Sequence, residues 1–123
     1  IPTIADVQTV ENHGAASAYP ILDVLGPLVL WGLENQDTGK IIRMNLSVQA
    51  GERVLIDLRP GFLKAISEWR GDVAYGIIAG SDWGDFALLP GLNQIAFMGT
   101  AGDGNEEVSL HWRITDWSFD DLR

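Results

Sequence analysis

The side chains that could do chemistry in this chain are few, and carboxylates dominate among them. The sequence holds 17 Asp and Glu residues, two His and no Cys. A Ser-His or Cys-His relay therefore has few candidate members, and disulfides and thiolate metal sites are excluded. The chain also lacks the Gly-x-Ser-x-Gly elbow and the His-Glu-x-x-His motif. We therefore expect a protein that is not an enzyme, with no catalytic residue, no metal and no cofactor.

The two histidines and several neighbouring carboxylates are expected to be surface groups. His13 falls in a turn, and His111 falls on the polar face of the last predicted strand. A glycosidase needs two carboxyl groups held at a defined separation across a cleft, and neighbours on loops do not meet this condition. We interpret these carboxylates as solvated charge. They are Asp82 with Asp85, Asp116 with Asp120 and Asp121, and Glu106 with Glu107.

One acidic segment has a spacing similar to the start of a calcium-binding loop. Asp103, Asn105 and Glu107 place oxygen-bearing side chains at alternate positions. The rest of that motif is absent, and Asp-Gly-Asn is common in hairpin turns. A turn without bound metal is therefore the favoured interpretation.

Tryptophans are numerous, with five in the chain. Trp112 follows the apolar alternation of the last strand, and Trp83 is expected to pack beneath the Pro90-Gly91 turn, so both are assigned to the core. The other three fall at loop edges or near the end, where an indole beside polar groups can line a sugar site. The alternative is that they form a rim of the core or contact a neighbouring domain. These candidates for glycan or partner contact are Trp31, Trp69 and Trp117.

Charge and length limit the classes of partner. The formal net charge is −9, and the eight Lys and Arg residues are scattered. This disfavours nucleic acid, which needs clustered cations. No apolar run approaches the length of a membrane span, so we expect no membrane partner. The 123 residues fit one domain.

Apolar and polar residues alternate with a period of two along most of the chain, which predicts strands. The pattern is clearest over residues 42–48 and 54–58. Residues 68–81 do not fit, and their glycines make a long helix unlikely, so we predict a long connection there. The other predicted strands cover residues 4–12, 19–25, 28–31, 62–66, 94–98 and 108–114.

Turn residues separate these strands. The strongest hairpin signal is the run from Asn35 to Gly39. After Pro90-Gly91, the side chain of Asn93 is expected to hydrogen-bond its own backbone and direct the chain into the next strand. About eight to ten short strands separated by such turns predict an all-β, two-sheet antiparallel β-sandwich. Jelly-roll order is the expected connection.

A series of short motifs occurs in order along nearly the whole chain. It comprises Asn12-His13-Gly14, Tyr19-Pro20-Ile21, Gly26-Pro27, the Asn35 to Gly39 turn, Ala50-Gly51-Glu52 with Val54, Ile56 and Asp57, Ser81-Asp82-Trp83, Leu89 to Ile95, and Trp112-Arg113. This set resembles the C-terminal domain of siphophage distal tail proteins and related phage tail components. Each motif alone is weak evidence for this family, and the ordered set of motifs at these spacings is much more specific.

The resemblance implies a galectin-like or carbohydrate-module-like β-sandwich carried by a hub at the tip of a non-contractile tail. It also implies an N-terminal ring-forming domain, which this sequence does not contain. Residues 1–123 are therefore predicted to be a single domain from the C-terminal part of a longer protein, in agreement with a start at Ile1 that has no initiator Met and no signal-peptide layout. Residues 114–123 look longer and more acidic than the usual ending of the family.

The expected function is a non-enzymatic structural module of a phage or prophage tail, as a distal tail or baseplate hub component that aids host attachment. Its partners would be other tail or baseplate proteins, reached through the parent protein, and a cell-surface glycan. Its location would be the virion tail, or the bacterial cytoplasm before assembly. The isolated domain is expected to be a monomer or weak dimer, because copies of charge −9 repel each other. The alternative is a carbohydrate-binding module of an adhesin or enzyme.

Overall fold

The computed structural model describes residues 3–101 and 106–113 and shows an all-β fold. Within these residues there are two 3₁₀ turns, Ala74–Gly76 and Trp83–Asp85, and nine strands. The strands are β1 (Thr3–Asn12), β2 (Ile21–Leu25), β3 (Leu28–Asn35), β4 (Lys40–Val48), β5 (Arg53–Asp57), β6 (Lys64–Ser67), β7 (Gly71–Asp72), β8 (Gly91–Ala101) and β9 (Glu107–His111).

The strands form two antiparallel sheets. One has the order β1-β8-β3-β4, and the other has the order β7-β6-β5-β2-β9. Among the described strands, only β3–β4 and β5–β6–β7 are hairpins within a sheet, whereas the chain changes sheet between β1 and β2, β2 and β3, β4 and β5, β7 and β8, and β8 and β9. The first two strands therefore pair with the last two. The predicted two-sheet antiparallel β-sandwich is confirmed.

Side chains from both sheets fill one core between them. In β4, Met44 and Leu46 are buried while Arg43 and Asn45 are exposed, which confirms the predicted alternation. The opposite sheet contributes alternate residues of β2 and β5 in the same way, because successive side chains of a strand point to opposite faces. The largest fully buried apolar side chains are Phe86, Leu22, Leu30, Leu33, Ile42, Leu46, Ile56, Leu58 and Leu88.

The third strand is longer than predicted. The expected strand ended at Trp31, but β3 continues to Asn35. A β-bulge between Leu30 and Gly32 shifts the register against both neighbouring strands. The bulge changes the phase of the alternation, so Leu30 and Leu33 are both buried although they are three residues apart. A strict period of two cannot follow the strand through this point.

The last strand lies at a sheet edge, beside β2 alone. It was predicted to run over residues 108–114, with Val108 and Leu110 in the core, and it ends at His111. Leu110 and Trp112 are partly buried against the core, but Val108 is 36% exposed. The core assignment of this face is therefore right for Leu110 and Trp112 and wrong for Val108, because an edge strand has a neighbour on one side only.

Residues 68–81 are mostly a connection, as predicted, and their end closes the outer edge of β4. The backbone N–H of Ile78 donates to the carbonyl oxygen of Arg43 (2.8 Å). The Asp82 carboxylate accepts a hydrogen bond from the N–H of Ile41 (2.9 Å). These bonds satisfy strand groups that would otherwise invite pairing with another chain.

Candidate binding site

The tryptophans proposed for contact lie far apart in the fold. Trp31 occupies the β-bulge on the outer face of the four-stranded sheet and is 44% exposed. Trp69 lies in the turn between β6 and β7 of the other sheet, is 57% exposed, and has its ring near Gly51. The structure therefore does not bring Trp31 and Trp69 into one platform. Trp117 lies outside the described residues.

The remaining sequence candidates have ordinary surroundings where the structure describes them. His13 is exposed and lies 3.7 Å from the carboxylate of Glu11, as expected of a surface residue. Trp83 packs against the core and donates its indole N–H to the carbonyl oxygen of Asp57 (3.3 Å). Within residues 3–101 and 106–113, no cluster of three or more His, Asp or Glu side chains could hold a metal ion. Several residues of the predicted calcium-like turn and of the acidic groups lie outside the described residues. They are Asp103, Asn105, Asp116, Asp120 and Asp121.

Three buried asparagines fix the loop that precedes β8. The side-chain amide of Asn93 donates to the carbonyl oxygen of Leu89 (2.8 Å), and its oxygen accepts from the Leu89 N–H (2.8 Å). Asn35 donates to Asn93 (3.2 Å), and Asn12 donates to the carbonyl oxygen of Leu88 (3.1 Å). The prediction that Asn93 bonds its local backbone is confirmed, and the side chain also joins β3 to the loop.

A buried carboxylate, Glu52, fixes the turn between β4 and β5. It is fully buried and accepts hydrogen bonds from Arg70 Nε (2.7 Å), from Arg70 Nη2 (3.1 Å) and from the hydroxyl of Ser67. Arg70 also donates through Nη2 to the carbonyl oxygen of Ser47 (2.7 Å) and through Nη1 to the hydroxyl of Tyr75 (3.4 Å). Each of the three guanidinium nitrogens therefore has a partner inside the protein.

The electrostatics of this pair favour the ionised form. Burial by itself raises the pKa of Glu52, but hydrogen bonds from Arg70, the Gln49 N–H and Ser67 outweigh it and hold that pKa below its ordinary value. The same contact with Glu52 raises the pKa of Arg70. The pair is thus a permanent ion pair near neutral pH, and it serves the fold.

The structure also contains two concave regions. The first is a groove of about 420 Å³ between β1 and β9, with an apolar lining that includes Leu22, Phe97 and Leu110. The second is a pocket of about 510 Å³, which we call the basic pocket. Its lining includes Ser17, Tyr19, Arg59, His111, Trp112 and Arg113.

Strand pairing assembles the basic pocket from three separate parts of the chain. Ile21 pairs with Asp57 on one side and with His111 on the other. Tyr19, Arg59 and Arg113 each lie two residues beyond that row, at the same end of the sheet. The arrangement depends on registers between distant strands, so sequence patterns alone could not predict it.

Arg59 is held in place by a carboxylate behind it. Its Nε donates to Asp57 Oδ1 (2.9 Å), and its Nη2 donates to Asp57 Oδ2 (2.6 Å). The guanidinium also lies 4.8 Å from the centre of the Phe62 ring, a distance typical of a cation–π contact. The hydrogen bonds from Arg59 outweigh burial and lower the pKa of Asp57. This end of the pocket therefore carries an oriented cation.

His111 forms the other side of the pocket, next to Trp112. Its Nε2 lies 3.1 Å from the Ser109 hydroxyl and 3.8 Å from a carboxylate oxygen of Asp23. The side chain is exposed, as the sequence predicted, but its neighbours make it part of a concave site. Local sequence patterns do not indicate this pocket, because Arg59 follows the predicted strand 54–58 and Trp112 is assigned to the core by its alternation.

Comparison with protein-family models, curated proteins and solved structures finds no match to this chain. In the part of the chain that the structure describes, no helix is long and apolar enough to cross a membrane.

Proposed function

We propose that this chain is a non-enzymatic structural module of a phage or prophage tail, as a distal tail or baseplate hub component. One observation supports the proposal most strongly: the residues behind the resemblance to tail proteins are those that hold the loops of the sandwich. Of seven buried polar residues in the described part of the chain, five belong to the ordered motifs. These five are Asn12, Asn35, Glu52, Asp57 and Asn93.

Buried polar groups need partners, and the motif side chains obtain them from loop backbone or from an arginine. Within the described residues, every buried side-chain nitrogen or oxygen has a hydrogen-bond partner. Gly26, another residue of the ordered motifs, is needed for packing, because a Cβ there would clash with the carbonyl oxygens of Val48 and Gln49. These motif residues stabilise the scaffold. Their resemblance to the motifs of phage tail proteins therefore favours a shared architecture and a shared role in assembly.

The non-enzymatic part of the proposal has its own support and its own test. Asp82, one of the candidate catalytic carboxylates, is engaged in closing the edge of β4. We expect no turnover in a screen with generic ester, phosphate and glycoside substrates. Turnover that disappears in Asp82→Ala or Asp85→Ala would overturn this part of the proposal.

The proposed partners are other tail or baseplate proteins, contacted through the parent protein, in the virion tail or in the bacterial cytoplasm before assembly. The net charge of −9 makes identical copies repel, so we expect the isolated chain to be a monomer or weak dimer. Light scattering at micromolar concentration measures this, and a stable hexamer of this chain alone would contradict it.

The direct test of the tail assignment is immunogold electron microscopy. An antibody raised against this chain should label one tip of the tails on particles released by induction of the source strain. Antibody pre-absorbed with the purified chain is the control and should leave the particles unlabelled. Label that is absent from particles and present on the cell envelope or on a secreted protein would contradict the assignment.

A carbohydrate-binding module is the second candidate, and one observation favours it. The lining of the basic pocket includes two aromatic residues, Tyr19 and Trp112, together with Arg59, His111 and Arg113. Aromatic walls with a few fixed polar groups are typical of small-molecule sites.

A further inference from the structure

We propose that the basic pocket binds an acidic saccharide, that is, a sugar ring that carries a carboxylate or a phosphate. The site would add ligand binding to the structural role, and it does not rest on the tail assignment. Its volume of about 510 Å³ is in the ordinary range of small-molecule sites.

The charge of the residues that line the basic pocket favours an anionic ligand. Acidic residues outnumber Lys and Arg by 17 to 8 in this sequence. The described residues that line the basic pocket nevertheless include two Arg and one His and no Asp or Glu. Among the described residues, Asp57 contacts Arg59 and a carboxylate oxygen of Asp23 lies 3.8 Å from His111. A lining of this sign in an acidic protein favours an anionic ligand and disfavours a cationic one.

Arg59 is already oriented before a ligand binds. Asp57 engages Nε and Nη2 of Arg59, while Nη1 makes no hydrogen bond within residues 3–101 and 106–113. A guanidinium that is already oriented loses less side-chain entropy when an anion arrives. Hydrogen bonds to an ionised oxygen are also stronger than those between neutral groups.

Arg113 supplies a second cation. Its side chain is exposed and has no ion-pair partner among the described residues. This differs from Arg70, whose three guanidinium nitrogens all have partners among the described residues. Arg59 and Arg113 lie at the ends of different strands, so together they line a pocket and do not form a run along the chain.

The aromatic walls indicate a ring-shaped ligand. Tyr19 and Trp112 are both partly buried, and Trp112 packs against the core, so its indole is a fixed surface. Fixed aromatic faces suit a flat or puckered ring, and Arg59 and Arg113 suit the acid group on it. An acidic peptide would meet the same cations but would gain less from the ring faces. Peptide binding is therefore an outcome that the experiment must separate.

The test is a titration of the full chain by calorimetry. Four probes are compared: a short oligogalacturonate, glucose 6-phosphate, a neutral malto-oligosaccharide of matched length, and an oligoglutamate peptide. We expect at least one of the two acidic saccharides to bind, to bind more weakly at high salt because of screening, and to be preferred over the neutral sugar and the peptide. The tighter of the two then identifies the anionic group.

Arg113→Glu is the decisive variant, and Arg43→Glu is its control. Both reverse one exposed charge, but Arg43 lies in β4 of the other sheet. We expect Arg113→Glu to weaken binding at least about tenfold, since hydrogen bonds to a charged group are lost and repulsion replaces them. His111→Gln should weaken binding less, and Arg43→Glu should leave it within about twofold.

Four results would overturn the inference. They are no binding of either acidic saccharide at millimolar concentration, equal binding of the neutral sugar, tighter binding of the peptide, and an affinity that Arg113→Glu leaves unchanged. Circular dichroism of each variant shows whether it is folded. None of these results bears on the immunogold test, so the tail assignment and this inference fail separately.

Discussion

Two arginine–carboxylate pairs in this sandwich have the same chemistry and differ in how many guanidinium nitrogens the protein engages. Arg70 reaches the fully buried Glu52, and its remaining donors go to Ser47 and Tyr75. Arg59 binds Asp57 in a similar two-bonded way, but its side chain is half exposed and faces the basic pocket. We call the Arg70–Glu52 pair closed, because every guanidinium nitrogen has a partner within the protein. We call the Arg59–Asp57 pair open, because one guanidinium nitrogen has no hydrogen-bond partner among the described residues.

The difference shows that the same kind of ion pair can stabilise the fold in one place and orient a cation for ligand binding in another. In the closed pair each of the three guanidinium nitrogens has a partner within the protein, and the turn between β4 and β5 is fixed. In the open pair the carboxylate orients the guanidinium and leaves one nitrogen directed to no other described residue. Variants that change stability and binding separately distinguish the two pairs.

The largest expected effect is that of Arg70→Ala. Removal of Arg70 leaves Glu52 as an unpaired buried charge, which costs about 3–5 kcal/mol of unfolding free energy. Arg53→Ala is the matched control, because Arg53 faces Asp23 at 3.5 Å on an exposed surface and such pairs contribute about 1 kcal/mol or less. Urea unfolding measures both, and equal losses would contradict a closed, buried pair.

The next effect concerns Asn93. Its replacement by Ala leaves the Leu89 N–H and two loop carbonyl groups without their partner, at a cost of about 1–3 kcal/mol. Asn45→Ala, at an exposed position of β4, should cost little. A loss at Asn93 no larger than that at Asn45 would show that the loop does not depend on this side chain.

Acid is expected to destabilise the fold through both pairs. The folded-state pKa values of Glu52 and Asp57 lie below their ordinary values. Their contribution is therefore complete above the unfolded-state values, about 4.3 for Glu and 3.9 for Asp, and is lost as pH falls through the lower folded-state values. Unfolding free energy measured from pH 6 to pH 2 should fall less steeply in Glu52→Gln than in the wild type, and equal slopes would contradict this expectation.

The smallest effect on stability is expected for Arg59→Lys. Lysine keeps the charge but cannot make the two-bonded contact with Asp57. The midpoint of unfolding should move much less than in Arg70→Lys, while the affinity for the acidic saccharide should fall several-fold. A large loss of stability with unchanged affinity would place Arg59 in the scaffold together with Arg70.

Local patterns predicted the parts of this fold that depend on neighbours in sequence. The alternation in β4, the hairpin at Asn35–Gly39 and the bonding of Asn93 to Leu89 all act within a few residues. The β-bulge at Trp31 was missed because it breaks the period on which the prediction depends.

The candidate site depends on strand registers that no local pattern contains. Tyr19, Arg59 and Arg113 meet because β2 pairs with both β5 and β9. The closed pair joins Glu52 to Arg70, 18 residues away, and no local pattern links the two residues. Trp69 lies in a turn, as predicted, whereas Trp31 lies inside β3 and not at a loop edge, because the strand continues through the bulge.

The central claim is that side chains of the ordered motifs fix the loops of this sandwich. Native-state hydrogen exchange tests it at the amides of Gly14, Gln49 and Leu89, which donate to the side chains of Asn12, Glu52 and Asn93. We predict that these loop amides exchange only through global unfolding, as slowly as the amides of β4 and β5. Exchange as fast as that of an unprotected turn, while the strands stay protected, would contradict the claim.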